Sequence, residues 1–181
     1  SLVLRKFLSL PGLLENSSIE YVPYICAVRA IASFYGPPNR FKATGRFVYK
    51  PLSEKNIKKL VEYVDNSPGE DNCFIRLYSL GGEIKELTSN YSAYYYRDAQ
   101  YIIGITADWE KDDDAELYKD WVAGVLKYVK PLTNGSYVNF PYANLKDYGN
   151  EYYGKNYPHL KEVKKIYDPD DIFNFQQSIK P

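Results

Sequence analysis

Four segments of the chain place apolar residues at the three- and four-residue spacing of an amphipathic helix. Glycine and proline at 36–38 end the first segment, because proline lacks an amide donor and glycine accepts a left-handed turn. Ser53 is a suitable N-cap for the second, Asp114 can cap the third, and Pro131 ends the third. The predicted helices cover 23–35, 53–64, 115–129 and 158–167, and 2–14 reads as the end of a fifth.

Four further segments read as strands, because runs rich in β-branched and aromatic residues lie between turn residues. The run at 101–108 is apolar on both faces, which favours a central position in a sheet. Gly81 and Gly82 predict a turn that leads into a partner strand at 83–87. The four segments are 40–50, 73–80, 101–108 and 136–140, so the partner strand at 83–87 makes five predicted strands.

The order of these elements indicates an α+β fold. It predicts a mainly antiparallel β-sheet whose one face is covered by the helices at 53–64 and 115–129, with the other face free for a partner. The segment Ile172 to Ser178 is expected to be extended and to lie against an apolar surface, because its large side chains would otherwise be exposed. Four lysines near the last helix are expected on a solvated face: Lys155, Lys161, Lys164 and Lys165.

Composition excludes several kinds of partner. Lys and Arg together number 23, as do Asp and Glu, so the formal charge is zero. That balance gives no support to a nucleic-acid-binding protein or to a polybasic membrane-surface protein. No apolar run approaches the roughly 18 residues of a membrane helix. We therefore expect neither nucleic acid nor a membrane as a partner.

The residues that bind metals or perform nucleophilic catalysis are sparse. Cys26 and Cys73 are too far apart for a CxxC site, and we expect two buried free thiols in a reducing, cytoplasmic environment. The single histidine, His159, reads as a surface residue and forms no metal set or catalytic triad with its neighbours. The acidic turn at 168–171 lacks the glycine and alternating oxygen ligands of a calcium loop. No metal is expected.

Tyrosine is the unusual feature of the composition. The chain has 20 tyrosines, and 14 of them follow position 90. In the predicted strand at 136–140, Tyr137 and Asn139 point to the same face. A phenol beside a carboxamide can stack on, hydrogen-bond to and exchange protons with an aromatic ligand. Packing at the edge of a core is the alternative for this pair, and both readings stay open.

The order of motifs resembles a known family. A Y-x-N strand is followed by YYGKNYPHLKEVKKIYDPDDIFNFQQSI at 152–179. This resembles the C-terminal signature of the berberine bridge enzyme-like FAD-linked oxidoreductases. The segment FKATGRFVYKPLS at 41–53, the Gly81-Gly82 turn, and 96–98 before a strand ending in Trp109 are also similar to that family.

The resemblance implies a particular place in a larger enzyme. Residues 1–130 would be part of a substrate-binding α+β domain, and 131–181 a C-terminal segment that packs at the flavin side. An N-terminal FAD-binding domain, which holds most of the cofactor in the family, would be absent from these residues. The lack of methionine agrees with this expectation, since the chain then begins in the middle of a fold.

The resemblance also assigns site residues. Tyr137 would be the phenol near the flavin ring and the candidate proton acceptor, and Asn139 would contact the flavin. An ordinary phenol has a pKa of about 10, so such a base needs a suitable pocket or help from the flavin. The remaining expected positions are Tyr153 and Asn156 near the cofactor and Ile102 and Gly104 in the substrate pocket.

Gly104 departs from the family pattern. A Glu or Gln often occupies the position that it matches, and glycine there implies a roomier or less acidic pocket. The substrates of the plant alkaloid enzymes therefore do not transfer to this chain.

Three functions follow from these observations. The resemblance implies an FAD-dependent oxidoreductase or oxidase, in which an alcohol, amine or sugar transfers a hydride to flavin N5 and oxygen or another acceptor re-oxidises the flavin. The present residues would bind the small-molecule substrate, cap the flavin and be inactive alone. The alternatives are a non-catalytic module that binds a carbohydrate or aromatic ligand, and a structural domain whose apolar sheet face pairs with another subunit.

Overall fold

The centre of the fold is a four-stranded antiparallel sheet with the strand order β2-β3-β1-β4. The computed structural model describes residues 20–33, 40–69 and 71–181. The strands are β1 (Arg40–Val48), β2 (Cys73–Ser79), β3 (Tyr101–Trp109) and β4 (Asn134–Ser136). The helices are α1 (Tyr24–Ala32), α2 (Glu54–Asp65), α3 (Glu83–Glu86), α4 (Ala115–Val129), α5 (Tyr148–Tyr153) and α6 (Tyr157–Tyr167). The predicted α+β class is confirmed.

The chain divides into two compact units, Ser1–Pro38 and Asn39–Pro181. In the first unit only α1 and its neighbours fall within the described residues, and Cys26 on that helix is exposed rather than buried as expected. The helix end predicted at 2–14 lies outside the described residues. The predicted boundary at 130/131 stays a prediction. Among the described residues, no helix is both long and apolar enough to cross a bilayer.

One face of the sheet is covered by α2 and α4, as the hydrophobic pattern predicts. Ile103 and Ile105 of β3 have no exposed surface and pack in one core with Val122 and Val125 of α4. α2 begins where predicted, because the Ser53 side chain accepts a hydrogen bond from the Asn56 backbone N–H. The predicted Asp114 cap is wrong: a 3₁₀ turn at 112–114 leads into α4, and no side-chain cap hydrogen bond forms.

The second face is not free around its centre, contrary to expectation. Phe47 of β1 and Ile102 of β3 are buried there beneath aromatic residues from two loops. The Phe47 ring stacks on Tyr96 with centroids 4.4 Å apart. Phe41, at the far end of β1, remains 66% exposed. The aromatic loops, rather than an outside partner, therefore cover the middle of this face.

Two predicted strands are wrong in the structure. The segment 83–87 forms the short helix α3, because Gly82 adopts a φ of 52° and the chain turns into helical hydrogen bonds from Ile84 and Lys85. The strand expected at 136–140 ends at Ser136, and its continuation is a turn. In each place a backbone hydrogen bond across a tight turn replaces pairing with a neighbouring strand.

The C-terminal segment is held by charges rather than by apolar packing. Lys164 is almost fully buried, not solvated as expected, and its ammonium contacts the carboxylates of Asp168 and Asp171. Asp168 also accepts hydrogen bonds from the backbone N–H groups of Ile172 (2.8 Å) and Phe173 (3.1 Å). The side chains of Ile172 and Phe173 are 77% and 79% exposed, so the expected apolar contact is wrong for the described residues.

This arrangement predicts loss of C-terminal order in acid. The hydrogen bond from Lys164 holds the pKa of Asp168 below its usual value, and Lys164 and then Lys180 do the same for Asp171. Because these folded-state pKa values are depressed, the stabilisation is present above the unfolded value of about 4 and is lost as the pH falls through the folded values. NMR shifts of the Ile172 and Phe173 amides, followed from neutral to acidic pH, would report the release.

The control for this titration is Asp170, an exposed neighbour in the same turn. We expect Asp168→Asn to release the two amides already at neutral pH, and Asp170→Asn to leave the titration unchanged. Equal amide shifts in both variants would contradict the assignment.

Candidate functional site

An aromatic cavity of about 210 Å³ lies beside the covered centre of the second sheet face. Its walls come from β1, the loop before β3, the turn after β4, and α5. None of its lining side chains carries a charge, and most are aromatic. We call it the tyrosine cavity; its lining residues are Phe47, Ala93, Tyr94, Tyr137, Val138, Asn139, Tyr152 and Tyr153.

Tyr137 enters this cavity from the turn that follows β4. Its backbone N–H donates to the Gly45 carbonyl (2.9 Å), and its own carbonyl accepts from Phe140 (2.9 Å), which closes the turn. The ring stands edge-on to Phe47, with centroids 5.9 Å apart, and to Phe140, with centroids 5.1 Å apart. The phenol is therefore positioned by β1 on one side and by its own turn on the other.

The predicted pair of Tyr137 and Asn139 is in direct contact, although the strand expected to align them is a turn. The Asn139 Nδ2 group donates to the Tyr137 phenol oxygen at 2.9 Å. This contact leaves the phenolic proton free for another acceptor. It also stabilises negative charge on the oxygen when that proton leaves. The arrangement is suited to accepting or passing a proton at the mouth of the cavity.

Tyr94 is a second phenol in the same cavity, and the sequence argument did not single it out. Its ring is perpendicular to that of Tyr137, with centroids 6.5 Å apart, and the Arg97 guanidinium lies 5.5 Å from its centroid. Burial, followed by the neighbouring Tyr137, raises the pKa of Tyr94 to about 12, and Arg97 opposes this shift. Tyr94 therefore stays a neutral hydrogen-bond donor at ordinary pH.

Gly104 and Ile102 lie in the sheet under aromatic rings rather than along the tyrosine cavity. A Cβ placed on Gly104 would lie 2.7 Å from Cε2 of Tyr78 and 3.5 Å from Cε2 of Phe140. These rings fill the room that glycine leaves in the sheet. A roomier or less acidic substrate pocket stays a prediction. A contact of Gly104 or Ile102 with substrate stays a prediction.

Of the two residues predicted near the cofactor, only Tyr153 lines the tyrosine cavity. Asn156 instead donates from Nδ2 to the carbonyls of Ser89 (2.6 Å) and Ser92 (2.9 Å). These bonds hold the loop that carries Tyr94. A direct role of either residue toward a cofactor stays a prediction.

A buried hydrogen-bond ring fixes α5, and with it Tyr153. The Tyr152 hydroxyl accepts from the Tyr142 backbone N–H (2.9 Å) and donates to Gln177 Oε1 (2.9 Å). Gln177 Nε2 closes the ring on the Tyr142 carbonyl at 2.9 Å. Gln177 lies in the QQS motif of the C-terminal signature, so this network explains why an amide occurs there, although no local pattern revealed its partner.

Replacing Tyr152 with phenylalanine is expected to destabilise the fold by about 2 kcal/mol, because the buried Tyr142 N–H and Gln177 oxygen lose their partner. Urea unfolding measures this change. Tyr167→Phe is the matched control, since Tyr167 is 82% exposed, and it should leave the unfolding midpoint nearly unchanged. A Tyr152→Phe variant as stable as this control would contradict the conclusion that the hydrogen-bond ring stabilises the fold.

Another connection to α5 is a buried ion pair. Arg46 on β1 has 3% of its side chain exposed, and its guanidinium contacts the Glu151 carboxylate. The guanidinium also donates to the hydroxyls of Thr133 (3.0 Å) and Ser136 (2.9 Å). An arginine in the buried half of a strand was the available signal, but its partner lies 105 residues away and was not predicted.

No metal site competes with this cavity in the described part of the chain. Across 20–33, 40–69 and 71–181, no three His, Cys, Asp or Glu side chains come together in a group that could hold an ion. His159 lies exposed near the start of α6.

Comparison with known proteins identifies a known domain. Residues 136–180, which contain the Tyr137 turn and the Gln177 ring, match the family model described as berberine and berberine like. The FAD-linked oxidoreductase YgaK of Bacillus subtilis is 31% identical over 167 residues, which is 92% of this chain and 37% of that protein. The chain therefore contains a berberine bridge enzyme-like domain at 136–180.

Other relatives agree in sequence and fold. Aclacinomycin-N/aclacinomycin-A oxidase of Streptomyces galilaeus is 27% identical over 88% of this chain and 32% of its own length. The structure of berberine bridge enzyme-like protein 28 of Arabidopsis thaliana aligns with 77% of this chain and 33% of its own, at 26% identity and a TM-score of 0.71. Berberine bridge enzyme from Eschscholzia californica, at 24% identity and a TM-score of 0.73, shows the same fold. The chain thus spans about a third of the length of these relatives.

Proposed function

We propose that this chain is the flavin-capping, substrate-binding part of an FAD-dependent oxidoreductase. The observation that carries the proposal is the Tyr137 phenol, which receives a hydrogen bond from Asn139 at the mouth of an aromatic, uncharged cavity. This turn lies inside the segment that matches the family model, and the family relatives are FAD-linked oxidoreductases.

The tyrosine cavity fits a planar aromatic ring rather than a whole dinucleotide. Phe47, Tyr94 and Tyr153 offer ring faces and edges, and the Asn139 amide offers polar atoms beside them. No glycine-rich phosphate-binding loop occurs in the sequence. These residues would therefore contact the isoalloxazine end, and the phosphates would be held by another part of the full-length protein.

The reaction we propose removes a hydride and a proton from an alcohol, amine or sugar. A bound FAD would supply the hydride acceptor at its N5 atom. Tyr137 acts in its deprotonated form, after its own proton has left to solvent: the phenolate oxygen, which Asn139 stabilises by donating from Nδ2, accepts the proton of the substrate O–H or N–H and becomes a neutral phenol. Tyr94, kept neutral by burial, donates a hydrogen bond within the same cavity.

The partner required by this proposal is the FAD-binding part of the same polypeptide. Relatives about three times as long as this chain support it. So do the exposed side chains of Ile172, Phe173 and Phe175. Asp168 and Lys164 hold the backbone of the first two in place. The chain alone would then be inactive, and a cytoplasmic location stays a prediction.

A sugar-binding module without redox activity is the second candidate. Aromatic ring faces beside an amide and phenols also suit the apolar faces and hydroxyls of a sugar. This candidate requires the isolated chain to bind sugars in the absence of flavin.

One pair of measurements separates the two functions. The full-length protein should purify with a yellow, flavin-like chromophore, and calorimetry of the present chain against a panel of sugars should detect no binding. A colourless full-length protein that does not take up added FAD would sink the redox proposal, and sugar binding by the isolated chain would favour the module.

A further inference from the structure

A second cavity lies next to the tyrosine cavity and differs from it in charge. Its volume is about 480 Å³, and it opens between the loop at 90–93 and the start of α6. Lys155 and His159 line it, together with the Ser92 hydroxyl, and no Asp or Glu is among its lining residues. We call it the Lys155 cavity.

The two basic groups in this cavity are unpaired. Within the described ranges, neither Lys155, in the turn before α6, nor His159, on α6, makes an ion pair or a side-chain hydrogen bond. Lys164 and Lys165 on α6 are both paired with carboxylates. The imidazole offers at least one N–H donor in either protonation state, and the ammonium offers three. No side-chain cap satisfies the start of the 11-residue helix α6, whose positive end lies at this cavity.

Ser92 adds a donor with a fixed direction. Its hydroxyl oxygen accepts from Arg97 Nη2 (2.8 Å) and from the Tyr94 backbone N–H (3.3 Å). With both acceptor sites used, the hydroxyl hydrogen is left to donate to a further group.

Arg97 supplies an uncompensated charge behind Ser92. The side chain is 7% exposed and forms no ion pair with any carboxylate in the described ranges, and its Nε is buried without a hydrogen-bond partner. Its other contacts are the Ile84 carbonyl and the rings of Tyr91 and Tyr94. A buried guanidinium without a counter-ion favours negative charge nearby. An anion bound to the Ser92 hydroxyl would supply this negative charge.

We propose that the Lys155 cavity binds an oxyanion, a carboxylate or a phosphate, through Lys155, His159 and the Ser92 hydroxyl. The site goes beyond the flavin proposal and does not depend on it, because none of these three residues lines the tyrosine cavity. Two kinds of ligand contain such a group: a substrate with a carboxylate that reaches from one cavity into the other, or a substrate with a phosphate that does so.

NMR titration of the present chain with inorganic phosphate and with acetate, at constant ionic strength, tests the site without flavin or turnover. We expect saturable shifts of the Ser92 and His159 amides. Lys155→Met and Ser92→Ala should each weaken binding about tenfold, as expected for loss of a charge-assisted hydrogen bond. Lys165→Met is the control, since that exposed lysine on α6 should not affect affinity.

The titration has outcomes that support the proposed anion site and outcomes that overturn it. Tighter binding of phosphate indicates a phosphorylated substrate, and tighter binding of acetate indicates a substrate with a carboxylate. The proposal is overturned if neither anion gives saturable shifts, or if Lys155→Met binds as well as Lys165→Met. Because flavin is absent from the assay, a negative result leaves the redox proposal standing.

Discussion

Replacing Arg46 with methionine is expected to lower the free energy of unfolding by about 3 kcal/mol, the largest stability change we predict for this chain. Methionine fills much of the same space, but it leaves the Glu151 carboxylate buried with only Lys130, at 3.2 Å, as a cationic partner. The hydroxyls of Thr133 and Ser136 lose their donor as well. Urea unfolding followed by tryptophan fluorescence measures the loss.

The same strand supplies the matched control. Arg40 forms an ion pair with Asp112 at 2.8 Å, but the two side chains are 54% and 75% exposed. Exposed pairs contribute only about 0–1 kcal/mol, so Arg40→Met should change stability little. The double variant Arg46→Met with Glu151→Leu should recover part of the loss, since no buried charge is then left alone. Equal effects of Arg46→Met and Arg40→Met would contradict the account.

Replacing Tyr137 with phenylalanine in the full-length enzyme is expected to lower kcat about 100-fold or more, because the phenylalanine ring cannot accept the substrate proton. The ring contacts with Phe47 and Phe140 do not need the hydroxyl, so the fold and the flavin absorbance should persist. Asn139→Ala should produce a smaller loss of about tenfold, since it removes one hydrogen bond to the phenol oxygen. Steady-state kinetics with the best available substrate measure both.

Separate values of kcat and KM distinguish catalysis from packing in this experiment. Loss of the Tyr137 hydroxyl should lower kcat and leave KM nearly unchanged, because the ring and the other walls of the tyrosine cavity remain. Tyr78→Phe is the control, because Tyr78 lies over Gly104 and does not line the tyrosine cavity. An unchanged kcat in Tyr137→Phe would contradict the role of Tyr137 as the base, and Tyr94 would be the next residue to examine.

Sequence patterns predicted the elements whose burial is continuous along one face. β3 was placed correctly in the centre because its residues are apolar on both faces, and α2 and α4 carry uninterrupted apolar stripes. The segments at 83–87 and 136–140 were wrong because a run of four or five residues reads equally as strand or turn. Backbone hydrogen bonds determine the conformation of both segments. These bonds form only because β1 and the glycines bring the donor and acceptor groups together.

The candidate site likewise has residues that the sequence predicts and residues that it does not. Tyr137 and Asn139 are two residues apart, so a strand and a turn both allow them to meet, and the pair was predicted despite the wrong element. Tyr94 comes from a loop whose path no periodicity describes. Its place beside Tyr137 depends on Arg97 and on the Asn156 amide, which is more than 60 residues from the loop that it holds.

The sequence by itself determined the α+β class, the central strand, the covering helices and the family domain, because these depend on local periodicity and on ordered motifs. Only the tertiary structure decided which polar groups are buried together. The partner of Arg46 is 105 residues away, and that of Tyr152 is 25 residues away. The local sequence pattern contains no information on such pairs. They form in the folded chain because burying a charge or hydroxyl without a partner costs free energy.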